Sequence, residues 1–103
     1  MIRIECVREN SKIVYLSLKG HAKSDEYGKD LVCAGVSSII TGGLNALHNP
    51  KAFEIKFAEG DVEIKANNSV QQNDYDVLEV ILVQLKTVEE DNKKYIKIVE
   101  KGN

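Results

Sequence analysis

An α+β fold of order ββαββαβ, a largely antiparallel sheet with two helices packed on it, is predicted by three patterns in this 103-residue sequence. Two pairs of short segments alternate apolar and polar residues across brief turns, the pattern of half-buried hairpin strands. Two longer segments space their apolar residues at helical intervals. A last alternating segment closes the chain, and no repeat, linker or low-complexity tract interrupts the order.

Ile2, Ile4 and Cys6 alternate with charged residues, which predicts a first strand with Cys6 pointing into the core. Glu9-Asn10-Ser11 reads as a turn. Val14, Leu16 and Leu18 then alternate with Tyr15, Ser17 and Lys19, so a second strand pairs antiparallel with the first and ends at Gly20-His21. From His21 to Lys29 the chain is polar and acidic, with almost nothing apolar to anchor it, which predicts a mobile surface loop. Asp30 reads as the N-cap of a helix that runs to about His48, where Asn49-Pro50 stops it. On this reading Cys33 sits in the first turn.

Val32, Val36, Ile39, Ile40 and Leu47 form the apolar stripe of that helix, while Gly35, Ser38 and Gly42 make a groove of small side chains. The adjacent pair Gly42-Gly43 costs roughly 1 kcal/mol per glycine in a helix interior, so the close approach of a strand, a second helix or a partner subunit is expected to compensate. Phe53, Ile55 and Phe57, then Val62, Ile64 and Ala66, flank Glu59-Gly60 as a second hairpin. Asn67 to Gln72 is a loop. Leu78, Ile81, Leu82, Leu85 and Val88 predict a helix from about Asn73 to Glu90, and residues 95–99 a last strand.

The length and the 43% hydrophobic content suit one domain spanning residues 1–103. Fourteen Lys and Arg against sixteen Asp and Glu give a net charge of -2 with the signs interspersed, so direct nucleic-acid binding is not expected. The charged start and the lack of a long apolar run predict a cytoplasmic chain with no membrane partner. Two cysteines without a secretory context predict thiols, not a disulfide.

The chemistry centres on His21 and Cys33, which a strand, a loop and a helix start would bring together. Cysteine attacks carbonyls as thiolate, an imidazole can take its proton, and a helix N-terminus supplies N–H donors and a positive dipole end. A cysteine on a helix is most often a small buried hydrophobe. Cys33, however, leaves the Val32, Val36, Ile40 stripe and shares a small, polar face with Ser37 and Thr41 at i, i+4 steps. His21, taken alone, is a surface histidine at a strand end, but Gly20 gives it backbone freedom. The imidazole could accept the Cys33 proton and return it to a leaving amine. Backbone N–H groups around Cys33 are candidate oxyanion donors. Asp30 is explained by capping and could also orient His21. Ser37 either holds substrate or fills a tight helix contact. His48 reads as a helix C-terminal residue interacting with the dipole.

Spacing removes other cysteine chemistries. There is no Cys-x-x-Cys for dithiol exchange or zinc, and the position where a phosphatase loop needs arginine is Ile39. Papain-type and caspase-type signatures are also absent around Cys33. No metal or cofactor is expected.

Gly20-His21-Ala22, followed by Gly28-x-Asp30-Leu31-Val32-Cys33-Ala34-Gly35-Val36-Ser37, resembles the signature of the ribosomal-processing cysteine protease Prp family. Gly35 stands where many relatives have alanine. The resemblance implies a homodimeric cysteine endopeptidase that removes the N-terminal extension of a large-subunit ribosomal protein, number twenty-seven. It implies His21 and Cys33 as the dyad, with Asp30, Ser37 and Gly20 in supporting or substrate-binding positions. It further implies substrates whose removed segment ends in apolar, aromatic residues, with the loop from His21 as a cover that opens for them. The competing reading is a non-enzymatic ribosome-assembly or protein-interaction module whose Gly35, Ser38, Gly42 groove serves a partner.

Overall fold

The computed structural model describes residues 1–20 and 27–103, with side chains described for 1–20 and 31–103. Strands β1 (Ile2–Glu9) and β2 (Lys12–Lys19) are followed by helix α1 (Tyr27–Asn45). A short 3₁₀ turn at Pro50–Ala52 leads into β3 (Phe53–Ala58) and β4 (Asp61–Ala66), and helix α2 (Gln72–Asp91) and β5 (Ile96–Gly102) complete the chain. The strands form one sheet in the order β3-β4-β2-β1-β5. All neighbours are antiparallel except β1 and β5, which run parallel. The expected α+β architecture is therefore present.

Both helices contribute to a buried cluster on one side of the sheet. Ile2, Ile4 and Cys6 of β1, Leu16 and Leu18 of β2, and Val62 and Ile64 of β4 meet Val32, Val36 and Ile40 of α1 and Leu78, Ile81, Leu82 and Leu85 of α2. The other face is solvated and carries cross-strand ion pairs, among them Lys19 with Asp61 and Glu63. Among the described residues no helix is long and apolar enough to cross a membrane.

One strand register and three element boundaries differ from expectation, each for a local reason. In the β1–β2 ladder Val7 pairs with Tyr15 but Arg8 pairs with Ile13, leaving Val14 as an extra residue. Such a bulge reverses the inward parity, so Ile13 is fully buried where Val14 was expected to be. Helix α1 starts at Tyr27, three residues before Asp30. Asp30 is therefore not the N-cap but a first-turn residue, a position that an acidic side chain also favours because of the helix dipole. Residues 21–26 of the expected loop lie outside the described residues, whereas 27–29 belong to the helix.

The same helix ends at Asn45 instead of about His48, because its last carbonyls are taken by tight turns: Ala46 N–H donates to Gly43 and Leu47 N–H to Leu44. Strand β5 continues past residue 99 to Gly102, since its parallel register with β1 persists to the Arg8–Gly102 pair.

Close packing in α1 occurs at Gly43, where a Cβ would run into the Ile81 side chain of α2. Gly35 and Gly42 have nothing within 4 Å of the position a Cβ would take. The expected small-residue groove is thus real in the sequence but unfilled among the described residues.

Candidate active site

Cys33 is the seventh residue of α1 and lies in its second turn, not the first. It is half-buried and packs against the core. Its position removes one expected feature. Orphan N–H groups belong to the first four positions of a helix, so the amide of Cys33 is inside the hydrogen-bonded ladder and is not an oxyanion donor.

The face carrying Cys33 does behave as its sequence suggests. Ser37 and Thr41, one and two turns on, are exposed while Val32, Val36 and Ile40 are buried. Ser37 and Thr41 line a cavity of about 300 Å³ together with Leu18, Phe57, Gly60 and Val62. The cavity therefore sits where α1 crosses the end of β2 and the tip of the β3–β4 hairpin.

Gly20 ties the end of β2 to that tip, its N–H donating to the Gly60 carbonyl at 3.0 Å. Its φ of +105° is a conformation glycine adopts without strain, and a Cβ there would collide with the Met1 carbonyl. Two independent features thus require glycine immediately before His21. His21 itself lies outside the described residues, as does the side chain of Asp30.

The second cysteine has a different environment. Cys6 is fully buried on β1, and burial pushes its thiol up to about 11. A thiol so disfavoured as thiolate is a poor nucleophile. Neither cysteine is in a disulfide.

Some important residues were not legible as such. Asp74, 1% exposed, accepts backbone N–H bonds from His48 at 2.7 Å and Asn49 at 2.9 Å. It holds the chain leaving α1 against the first turn of α2. In the sequence Asp74 is merely an acid near a helix start, which the dipole already explains. The unpaired donors just beyond the end of α1 were the available signal. His48 is consequently an exposed loop residue, not a helix C-terminal one. Phe57 was recognisable as a strand residue, but not as a wall of the cavity. Among the described residues no group of three His, Cys, Asp or Glu side chains is arranged to hold a metal ion.

The family model described as Cysteine protease Prp matches residues 1–97. The ribosomal processing cysteine protease Prp of Staphylococcus aureus is 29% identical over 96 residues, covering 89% of this chain and 91% of that protein. Its counterpart in Mycoplasma genitalium is 35% identical over 92 residues, covering 85% and 89% respectively. A crystal structure of the S. aureus protease with a covalently linked product peptide superposes with a TM-score of 0.84, at 28% identity over 97% of this chain and 99% of the other.

Proposed function

This chain belongs to the cysteine protease Prp family and is a cysteine-type endopeptidase, and on that premise we propose that it matures a ribosomal protein precursor with Cys33 as nucleophile and His21 as general base. Residues 1–103 act as one protease domain in the cytoplasm. The substrate is the precursor of large-subunit ribosomal protein twenty-seven, from which the N-terminal extension is removed. No direct nucleic-acid contact and no cofactor take part.

The observation that carries the residue assignment is the face shared by Cys33, Ser37 and Thr41. It leads from the core edge into a cavity walled by the hairpin tip, to which Gly20, the residue before His21, is bonded. Cys6 offers no rival, being sealed in the core.

His21 takes the proton from the Cys33 thiol, and the sulfur attacks the scissile carbonyl. As the carbon–nitrogen bond breaks, the imidazolium returns its proton to the departing amine, leaving a thioester on Cys33. Water, activated by the same imidazole, hydrolyses the thioester and regenerates the thiol. Ser37 borders the cavity and contacts bound peptide, Gly20 sets the backbone path into His21, and Asp30 in the first turn orients the imidazole.

The protein acts as a homodimer through the groove between α1 and α2. That groove, of about 550 Å³, is lined by Ser38, Gly42, Ala46, Val77, Val80 and Gln84. Val80 and Val83 are 56% and 61% exposed beside it, and Gly42 is open to an incoming backbone. A second copy covers an apolar strip that this chain leaves bare.

A synthetic junction peptide, spanning the end of the extension and the start of mature protein twenty-seven from the same genome, tests the assignment. Wild-type protein cleaves it and Cys33→Ala does not. Undiminished cleavage by Cys33→Ala would overturn it.

A further inference from the structure

We infer that the outer edge of β3 is the docking strand for the peptide substrate, with Phe57 as a specificity-determining side chain; this rests on the peptidase reading above.

Strand β3 ends the sheet, so among the described residues one side of its backbone has no neighbouring strand. The hydrogen-bond phase says which groups are on that side. Asn67 N–H donates to Ala52 O at 2.9 Å, and the β3–β4 register continues from there without a shift. Hydrogen-bonded positions alternate along an antiparallel ladder, so Glu54, Lys56 and Ala58 turn their backbone groups toward β4. Ile55 and Phe57 turn theirs outward. No hydrogen bond from the described residues reaches those outward N–H and C=O groups.

The opposite edge is treated differently. On β5 the Ile98 N–H is occupied by the Glu89 carboxylate of α2 at 2.6 Å. An open strand edge invites pairing with another chain, and proteins ordinarily block it. Here one edge is guarded, while the other carries no partner among the described residues.

Side chains agree with the backbone. Ile55 and Phe57 lie on the helix-facing side of the sheet yet are 38% and 54% exposed. Phe57 is the member that lines the cavity with Ser37 and Thr41. The intervening Glu54 and Lys56 point to the solvated face. A peptide added as a strand places every second side chain over the Ile55–Phe57 strip, with the residues between them on the charged side. The fitting substrate is an extended peptide with apolar residues at alternating positions flanking the scissile bond. The occupant is substrate, not a second copy of this chain, because the apolar strip continues through Phe57 into the cavity lined by Ser37 and Thr41, which follow Cys33 on the same face of α1.

Two experiments together decide this. Phe57→Ala is measured with the junction peptide and, separately, with iodoacetamide labelling of Cys33. Cleavage is expected to fall about tenfold or more in kcat/KM, mainly through KM, with labelling unchanged. A series of junction peptides N-methylated at single successive positions is then cleaved by wild-type protein. Losses of about fivefold or more are expected at every second position, where a donor to the β3 edge is removed, with little effect between. Unchanged kcat/KM in Phe57→Ala, or N-methyl losses that are uniform or absent, overturns the edge assignment while leaving the peptidase reading intact. A wild-type protein that cleaves no junction peptide overturns the peptidase reading and, with it, this inference.

Discussion

The N–H of Gly20 donates to the carbonyl of Gly60, joining the residue before His21 to the tip of the β3–β4 hairpin. This bond sets the strand end and the cavity wall in one frame. On the proposed assignment, the base His21 follows directly from this sheet and the nucleophile Cys33 sits on a helix packed against it.

Gly20→Ala is expected to disturb both stability and activity. A side chain at φ +105° is strained, and its Cβ meets the Met1 carbonyl. Urea denaturation should show a loss of about 2 kcal/mol. Displacing the His21 backbone should also lower cleavage of the junction peptide by about 100-fold. Unaltered cleavage would show that the path through Gly20 does not position the base.

Much of this arrangement was legible because burial alternates locally. Ile4 and Cys6, Val62 and Ile64, and the Leu78 to Leu85 stripe all occupy the places their periods predict. The bulge at Val14 was hidden, since Ile13 and Val14 are equally apolar and only the β1 register distinguishes them. Asp30 misled because the same residue type suits an N-cap and a first turn. Gly42 and Gly43 are identical in sequence terms, and only the position of Ile81 decides which is packed. Phe57 alternated like a core residue but meets α1 only across the cavity and stays 54% exposed, a fact of tertiary coverage that no local pattern records.

The buried carboxylate of Asp74 closes the turn after α1. Asp74→Ala leaves two backbone donors without their acceptor and should cost about 2–3 kcal/mol in urea denaturation. Asp74→Asn, which keeps one acceptor oxygen, should lose less. Equal, negligible losses in both variants would mean that water replaces the carboxylate freely.

Stability should fall at both ends of the pH range for separate reasons. The Arg8 guanidinium, bidentate to Glu79 at 2.6 and 2.8 Å, holds that carboxyl below its usual range. Its contribution is present above the ordinary carboxylate pKa and is lost as pH drops through the depressed value. Glu79→Gln should therefore flatten the acid decline in urea midpoint below about pH 4. Cys6 behaves oppositely: burial raises it from 9.0 to about 11, so its contribution is complete below 9.0 and lost as pH rises through 11. Cys6→Val should remove that alkaline component. An unchanged alkaline decline in Cys6→Val would place the titrating group elsewhere.

Alkylation of Cys33 by iodoacetamide, followed by peptide mass mapping at pH 7 and pH 10, tests the thiol–imidazole pair most directly. At pH 7, His21→Ala should slow labelling of Cys33 by about tenfold or more, because the thiol has lost its proton acceptor and less of it is present as thiolate. At pH 10 the two proteins should react alike. Equal rates for wild type and His21→Ala at both pH values would contradict the pairing of His21 with Cys33.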